Sequence, residues 1–247
     1  MTASQTRSVQ NGQTRTLIAC IFDVDGVLLA SPHERAWREA LQGIADPGRF
    51  TTEMYQACVA GKPRMSGALA ALQALGVPDA EQRVAAYAAD KQRRLEALVA
   101  AGDLEAYPDA LRFVQAMAAL RWPLAVASSS KNANRMMRSV RLDSGQILLD
   151  VFDKNVCGRE LRQGKPHPEI FLLAAAELRV AAEHCVVIED APAGIEAARA
   201  GDMAALGVAR HHDATLLWDA GADLVVSSLD EVAVDELAAG RLCRKPA

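Results

Sequence analysis

The sequence lacks the features that mark several large classes of protein. Its five cysteines are odd in number and far apart, and no CxxC pair or Cys/His cluster occurs. A disulfide scaffold and a structural zinc site are therefore not expected. The cysteines are instead expected to be reduced thiols. No apolar run approaches transmembrane length, and the first sixteen residues are polar, without the apolar stretch of a secretory signal. No GxGxxG fingerprint follows an apolar run, which argues against a dinucleotide-binding protein.

The sequence also lacks a large excess of charge of either sign. The net charge is −4, so the sequence offers no basic surface for nucleic acid or an anionic membrane. Hydrophobic residues make up 51% and charged residues 23% of 247 residues, which is typical of a globular core with a small accessory domain. We expect a cytoplasmic monomer or weak homodimer whose partner is a small molecule.

Four short, almost unbroken apolar runs predict strands that are buried on both faces. The runs span residues 17–22, 123–127, 185–188 and 223–226. Helical patterns rich in Ala and Leu lie between them, as at residues 109–120, 168–178 and 193–200. This alternation predicts an α/β protein with a doubly wound, mainly parallel, Rossmann-like sheet.

One long segment breaks the alternation. From about Glu34 to about Asp103 the sequence has helical periodicity and turns but no convincing strand. Such a segment is too long for a simple crossover connection between parallel strands. We therefore predict an inserted all-helical cap domain over residues 34–103, a catalytic core over 17–33 and 104–247, and a loose N-terminal tail over 1–16.

Polar side chains follow three of the predicted strands, where doubly wound sheets bind their ligands. They are Asp23 and Asp25 after the first strand, Ser128-Ser129-Ser130-Lys131-Asn132 after the second, and Glu189 and Asp190 after the third, with Lys165 near the start of a helix. Each group alone has an ordinary explanation. The first acids can be a solvated pair, the serines and the later acids can cap helices, and a Gly-Lys-Pro sequence can occur by chance. Together, at one edge of the sheet, they predict a cation site for a phosphate.

The residue types suit phosphoryl transfer. A phosphoryl group is shielded by its own negative oxygens, so a carboxylate nucleophile needs positive charge beside it. Mg²⁺ takes oxygen ligands, which Asp23, Glu189 and Asp190 can supply. An aspartyl phosphate would divide one difficult transfer into two easier ones.

Three further side chains fit the same reaction. Lys165 would add fixed positive charge on the transferring group, and the Ser128 hydroxyl would donate a hydrogen bond to it. Asp25 is placed to protonate the leaving oxygen and then to deprotonate the next acceptor.

Four segments of the chain resemble the four motifs of the haloacid dehalogenase superfamily, and more narrowly those of its β-phosphoglucomutase branch. The segments read FDVDG, VASSSKN, GKPHPEIF and VVIEDAPAGIEAARAG, and the resemblance spans about residues 17–226. It implies that Asp23 is the nucleophile, Asp25 the acid/base, Ser128 and Lys165 phosphate binders, and Glu189, Asp190 and the Asp25 backbone carbonyl magnesium ligands. The second acid of FDVDG argues against true dehalogenases.

The predicted cap carries further candidates. The segment Gly61-Lys62-Pro63-Arg64 resembles the one with which the mutase branch holds the distal phosphate, with Arg64 at the arginine position. Lys91 falls where that branch keeps a cap lysine, although a solvated helix face is the ordinary alternative. Ser129, Lys131 and Asn132, after the second strand, are the other candidate substrate binders.

The mutase branch also has a histidine that steers the acid/base aspartate. The local His-x-Arg-Ala-Trp pattern selects His33, whereas a gapless count from Asp23 selects Arg35. The same segment also reads as a helix start with Ser31 as N-cap, Pro32 at N1 and Glu34 closing a capping box, which would make His33 a surface residue.

The leading hypothesis is a β-phosphoglucomutase-like enzyme that uses Mg²⁺ and acts on a sugar phosphate. The nearest alternative is a phosphatase of a small phosphorylated sugar or similar metabolite, which uses the same core residues. A catalytically inactive binding protein on this fold is less expected, because it should have lost the nucleophile or a metal ligand.

Overall fold

The structure is a computed structural model that describes residues 16–246, so the predicted tail over residues 1–16 lies outside it apart from Thr16. The strands are β1 (Ala19–Phe22), β2 (Leu29–Ala30), β3 (Glu105–Ala106), β4 (Leu124–Val126), β5 (Lys154–Asn155), β6 (Cys185–Glu189), β7 (Ala204–Val208) and β8 (Leu224–Val226). The α-helices are α1 (His33–Glu39), α2 (Thr52–Cys58), α3 (Arg64–Ala74), α4 (Ala80–Ala100), α5 (Pro108–Ala119), α6 (Ala133–Ser139), α7 (Glu169–Leu178), α8 (Pro192–Ala200), α9 (Ala214–Asp219) and α10 (Val234–Ala238).

Six strands form one parallel sheet in the order β5-β4-β1-β6-β7-β8. β1 lies at its centre, where Cys20 pairs with Leu124 on one side and Val186 on the other. Because the strands are parallel, their carboxyl ends meet at one edge, and the strand order reverses at β1. The predicted doubly wound α/β core is confirmed.

The two faces of the sheet explain the unbroken apolar runs. Successive side chains of a strand point to opposite faces. Cys20 and Phe22 therefore pack into the hydrophobic cluster on one face, while Ala19 and Ile21 pack into the cluster on the other. All four residues are fully buried, so no position of β1 tolerates a polar side chain until Asp23.

The four helices α1 to α4, which we call the cap helices, lie between β2 and β3 and have a hydrophobic core of their own. In that core the fully buried Tyr87 donates a hydrogen bond of 3.0 Å to the Trp37 carbonyl. The chain leaves and re-enters the main body of the protein through β2 and β3, which pair antiparallel. Over residues 16–246 no helix is long and apolar enough to cross a membrane.

Candidate active site

Lys165 links two of the strand-end carboxylates. Its Nζ lies 2.5 Å from Asp23 Oδ1, after β1, and 2.5 Å from Glu189 Oε1, at the end of β6. The Lys165 side chain is fully buried and its ammonium lies 4.7 Å from the ring centroid of Phe171. Burial alone would lower the pKa of Lys165, but the charges of Asp23 and Glu189 raise it above its usual value. The lysine therefore stays charged behind Asp23.

Glu189 has its two oxygens engaged in different ways. Oε1 accepts from Lys165, while Oε2 accepts from the backbone amides of Asp190 at 3.0 Å and Ala191 at 3.1 Å. Burial raises the pKa of Glu189 to about 7, against the opposing charge of Lys165. A Cβ at Gly194 would lie 1.9 Å from this carboxylate, so α8 can approach Glu189 only because position 194 has no side chain.

The Asp190 carboxylate is the group that a cation would fit. Burial, followed by the charges of Glu189 and Asp23, raises the pKa of Asp190 well above its usual value. Within residues 16–246 its carboxylate has no hydrogen bond or ion pair, although the residue is only 8% exposed. The loop after Asp25 packs directly against it, because a Cβ on Gly26 would lie 1.9 Å from Asp190 Oδ2. Buried acids in excess of cations fit a divalent ion with oxygen ligands.

The side chains are not gathered around a metal position. Among the described residues no group of three or more His, Cys, Asp or Glu side chains is arranged to hold a metal ion. The Lys165 ammonium instead contacts Oδ1 of Asp23 and Oε1 of Glu189. Asp23 and Asp190 remain the carboxylates nearest to such a role.

Asp25 is held from the side of α1. Its Oδ1 accepts from Ser31 Oγ at 2.5 Å and lies 3.5 Å from His33 Nε2. Burial raises the pKa of Asp25, against the hydrogen bond from Ser31. The alternative of a capping box at this helix is wrong: α1 begins at His33 with Pro32 as N-cap and no side-chain capping bond. Ser31 binds Asp25 instead of a helix amide.

The same geometry decides which residue of α1 faces Asp25. His33 Nδ1 lies 3.1 Å from Lys91 Nζ on the far side of the ring, so His33 stands between Asp25 and α4. Its Nε2 is buried and has no hydrogen-bond partner among the described residues. Burial, then the charge of Lys91, lowers the pKa of His33 well below its usual value. Arg35 points elsewhere and pairs with Glu39 and, at 3.0 Å, with Asp103.

The loop after β4 reaches the cap helices as well as the core. Ser128 Oγ accepts from the Ser130 amide at 3.1 Å, and Ser129 Oγ donates to the Gly61 carbonyl at 3.3 Å. Asn132 exchanges two hydrogen bonds with Gln92 on α4, of 3.2 and 3.3 Å. Lys131 is exposed, with its Nζ 3.9 Å from Glu160.

The two predicted cap cations differ in burial. Arg64 is the first residue of α3 and is exposed, whereas Lys91 is only 3% exposed and its Nζ lies 4.7 Å from the Trp37 ring centroid. Burial lowers the pKa of Lys91 to about 7, with Asp25 opposing and Arg64 adding to the shift.

A cavity of about 720 Å³ lies between the cap helices and the carboxyl edge of the sheet. The predicted site residues at its wall are Asp23, Asp25, His33, Arg64, Lys91, Ser128, Ser129, Lys131, Asn132 and Asp190. Lys165 and Glu189 lie behind this wall, against Asp23. The structure therefore brings the sequence candidates together around one cavity.

Tyr55, Gln56, Gln92 and His211 are among the polar cavity residues that were not predicted from the sequence. Burial, then the charges of Asp190 and Asp25, raises the pKa of Tyr55 well above its usual value. Gln56 Oε1 is buried and has no partner among the described residues. Of these four residues, only Gln92 lies next to a residue that the sequence singled out, Lys91.

An aspartate backed by a buried ammonium, at the carboxyl edge of a parallel sheet and beneath a helical cap, is typical of enzymes that pass a phosphoryl group through a carboxylate. A family model described as haloacid dehalogenase-like hydrolase matches residues 19–202, and the chain belongs to this family. The protein is thus an enzyme of the phosphomutase or phosphatase type.

Relatives narrow the assignment to the β-phosphoglucomutase-like branch. A β-phosphoglucomutase from Mycobacterium bovis is 31% identical, over 92% of this chain and 96% of its own. A phosphorylated carbohydrates phosphatase from Thermotoga maritima is 33% identical, over 84% of this chain and 93% of its own. The crystal structure of an archaeal β-phosphoglucomutase from Pyrococcus sp. strain ST 04 has a TM-score of 0.71 at 32% identity, covering 90% of this chain and 97% of that one.

Proposed function

We propose that this enzyme transfers the phosphoryl group of a phosphorylated sugar through an aspartyl phosphate on Asp23, with Mg²⁺ as cofactor. The observation that carries the proposal is the buried Lys165 ammonium 2.5 Å from Asp23 Oδ1. A charged lysine held there opposes the rise that burial causes in the pKa of Asp23, and it attracts the phosphoryl oxygens. The names of the relatives, a mutase of a sugar phosphate and a phosphatase of phosphorylated carbohydrates, support the substrate class.

In the first half-reaction a carboxylate oxygen of Asp23 attacks phosphorus. The bond from phosphorus to Asp23 forms while the bond to the leaving sugar oxygen breaks. Asp25 gives its proton to that leaving oxygen. Burial raises the pKa of Asp25, which is the direction that favours the protonated carboxyl used in this step.

In the second half-reaction the ionised Asp25 removes a proton from the acceptor hydroxyl. The acceptor oxygen then bonds to phosphorus and the bond to Asp23 breaks, which restores both carboxyl groups. The acceptor is a sugar hydroxyl in a mutase and water in a phosphatase. His33, 3.5 Å from Asp25 on one side and 3.1 Å from Lys91 on the other, would hold the Asp25 carboxyl in place.

Asp23, Asp190 and the backbone carbonyl of Asp25 are the groups we propose to hold Mg²⁺. When bound, the ion would neutralise the charge of the phosphoryl oxygens. Glu189 was predicted as a further magnesium ligand, and that role stays a prediction. Because it accepts from Lys165 and two backbone amides, we propose that it acts mainly by fixing Lys165 and the chain at Asp190.

We further propose residues 34–103 as the cap domain that recognises the substrate. Arg64 and Lys91 would bind its distal phosphate, and Ser129, Lys131 and Asn132 would bind it from the core side. The Ser128 hydroxyl would donate to the transferring phosphoryl group. Two contacts bring cap and core together over the cavity: the Ser129 bond to the Gly61 carbonyl and the Gln92–Asn132 pair.

Between the two family activities we favour the mutase. A mutase needs its aspartyl phosphate shielded from water while a bisphosphate reorients, and we propose that the contacts between the cap helices and the core serve this shielding. The phosphatase remains the second candidate, because the Thermotoga maritima relative has the same level of identity.

The test supplies β-glucose 1-phosphate with a glucose 1,6-bisphosphate primer and Mg²⁺. Glucose 6-phosphate and inorganic phosphate are measured in the same reaction. We expect isomerised sugar to form faster than phosphate is released. Rapid phosphate release without isomerised sugar would assign the phosphatase, and no turnover of any phosphate ester in a wider panel would refute phosphoryl transfer.

A further inference from the structure

Arg210, just after β7, is bound to the loop that follows the catalytic aspartates. Its Nε donates to the Gly26 carbonyl at 3.2 Å, and a terminal nitrogen donates to the Val27 carbonyl at 3.2 Å. Its guanidinium also stacks on Tyr107, with Cζ 3.9 Å from the ring centroid. The arginine side chain is only 8% exposed. It therefore acts inside the protein rather than on its surface.

The loop that Arg210 holds runs directly from Asp25. The Gly26 amide donates to the Leu29 carbonyl at 2.8 Å, and the Leu28 amide donates to the Val24 carbonyl at 2.9 Å, so the chain turns back at once. Gly26 has a φ of +80°, a conformation that other L-residues rarely adopt. Its backbone touches Asp190, as the 1.9 Å distance from a Cβ at this position to Asp190 Oδ2 indicates. A small shift of this loop therefore moves Asp25 relative to Asp190.

A buried aspartate fixes the arginine. Asp109, near the start of α5, accepts from Arg210 at 2.8 Å through Oδ2. The same oxygen accepts from the Leu229 amide at 2.7 Å and from Ser228 Oγ at 3.1 Å. Burial would raise the pKa of Asp109, but these hydrogen bonds hold it below its usual value, so the carboxylate stays charged. Asp109 is thereby anchored to the segment after β8.

We propose that Arg210, oriented by Asp109, is a positioning residue that sets the loop after Asp25 so that the Asp25 carboxyl meets the leaving-group oxygen. This role rests on the proposed use of Asp25 as acid/base. Peptide groups are planar, so the bond from the Gly26 amide to the Leu29 carbonyl fixes the Asp25–Gly26 peptide, and the Arg210 bonds to the Gly26 and Val27 carbonyls fix the two peptides that follow. No motif used to recognise the site includes Arg210 or Asp109.

The residue type suits this task. Arginine presents five donors in a rigid plane and can bond two carbonyls and one carboxylate at once. Lysine would keep the charge but lacks the fixed fork, so it cannot hold both carbonyls in one geometry. Arg210→Lys is therefore the informative variant, and Asp109→Asn, which releases the arginine without altering it, is the second.

The test measures kcat and KM with 4-nitrophenyl phosphate and with phenyl phosphate, at saturating Mg²⁺. Neither has a distal phosphate, and they differ in how much their leaving oxygen needs a proton. The leaving group departs in the first half-reaction, which kcat/KM reports. We expect Arg210→Lys to lower kcat/KM by about tenfold or more with phenyl phosphate and by much less with 4-nitrophenyl phosphate. Asp109→Asn should change kcat/KM in the same direction by a smaller factor.

Arg112→Lys is the matched control, because Arg112 pairs with Asp230 at the surface with more than half of its side chain exposed. It should leave the ratio of the two rates unchanged. Equal loss of kcat/KM on both substrates in Arg210→Lys and Asp109→Asn, or no loss, would overturn the positioning role. If Arg210→Lys does not fold, the ratio in Asp109→Asn decides the proposal alone. Failure of the proposed function itself would appear separately, as full activity in Asp23→Asn.

Discussion

Lys91 Nζ lies 3.1 Å from His33 Nδ1, and both groups are buried between α1 and α4. Burial lowers the pKa of both groups. The charge of Lys91 lowers the pKa of His33 further, whereas for Lys91 the charge of Asp25 opposes the shift and that of Arg64 adds to it. The opposite edge of the His33 ring faces Asp25 at 3.5 Å. The cap helices thus place a lysine behind the histidine that contacts the predicted acid/base.

The first prediction concerns stability and pH. The folded protein holds the pKa of Lys91 at about 7, below the value of about 10.4 in an unfolded chain. Between these values the unfolded state binds more protons, so this lysine makes stability rise with pH, by at most about 1.4 kcal/mol per pH unit. Below pH 7 the lysine is charged in both the folded and the unfolded state, so the full cost of burying that charge lowers the stability. We expect Lys91→Met to be more stable than the native protein at pH 6 to 7. Its stability should also lack the increase with pH that Lys91 causes in the native protein.

Urea unfolding at pH 6, 7, 8 and 9 measures the difference between the two proteins. Lys131→Met, at an exposed position, is the control and should follow the native curve. If the free energy of unfolding depends on pH in the same way in the native protein and in Lys91→Met, the lowered pKa of Lys91 would be contradicted.

The second prediction concerns charge at the transferring group. Lys165→Ala removes the ammonium between Asp23 and Glu189 and should lower kcat by roughly 10²- to 10³-fold, as loss of one preorganised donor does. Rates with 4-nitrophenyl phosphate at saturating Mg²⁺ measure the loss. A rate within threefold of native would mean that Lys165 only fills space.

The third prediction concerns recognition by the cap. Arg64→Ala should lower sugar-phosphate turnover at least about tenfold, since arginine suits bidentate phosphate binding. Hydrolysis of 4-nitrophenyl phosphate should stay largely intact, because that substrate has no distal phosphate. Arg83→Ala, at an exposed position of α4 away from the cavity, is the control. Equal loss on both substrates in Arg64→Ala would indicate a damaged cap instead.

The fourth prediction concerns closure of the cap. A Cβ at Gly164 would lie 1.9 Å from Pro63 Cγ and 2.7 Å from its Cδ, although the backbone at Gly164 lies outside the left-handed region. Gly164→Ala should therefore fold but fail to seat Pro63, and sugar-phosphate turnover should fall at least about tenfold. Adding Pro63→Ala removes both clashing atoms and should restore most of the rate. A double variant as slow as Gly164→Ala would show that the glycine serves Lys165 and not the cap.

The sequence predicted the core strands that are apolar throughout. A strand buried on both faces is a short continuous apolar run, which differs from the periodic pattern of an amphipathic helix. β7 was missed, since its sequence AALGV is rich in Ala and Gly and lacks the β-branched pattern of a strand. β5 was missed because it has only two residues, one of them an exposed lysine. Pairing with a neighbouring strand, which no local pattern records, defines both.

The site was predictable where residues follow strands in sequence, as Asp23 and Asp190 do. It was not where distant elements meet. His33 and Arg35 could not be separated without the course of the loop before α1, which brings Ser31 and His33 to Asp25. Arg210 carried no signal, because its partners are backbone carbonyls far away in the chain.

The most direct test of the mechanism is chemical trapping of the phosphorylated enzyme. The enzyme is mixed with substrate and Mg²⁺, quenched, and reduced with borohydride, which converts an aspartyl phosphate into homoserine. Mass spectrometry of the peptides then locates the change. We predict homoserine at position 23 in the native protein and none in Asp23→Asn, whose turnover should fall by about 10³-fold or more. Homoserine at another aspartate, or near-native turnover in Asp23→Asn, would contradict the account.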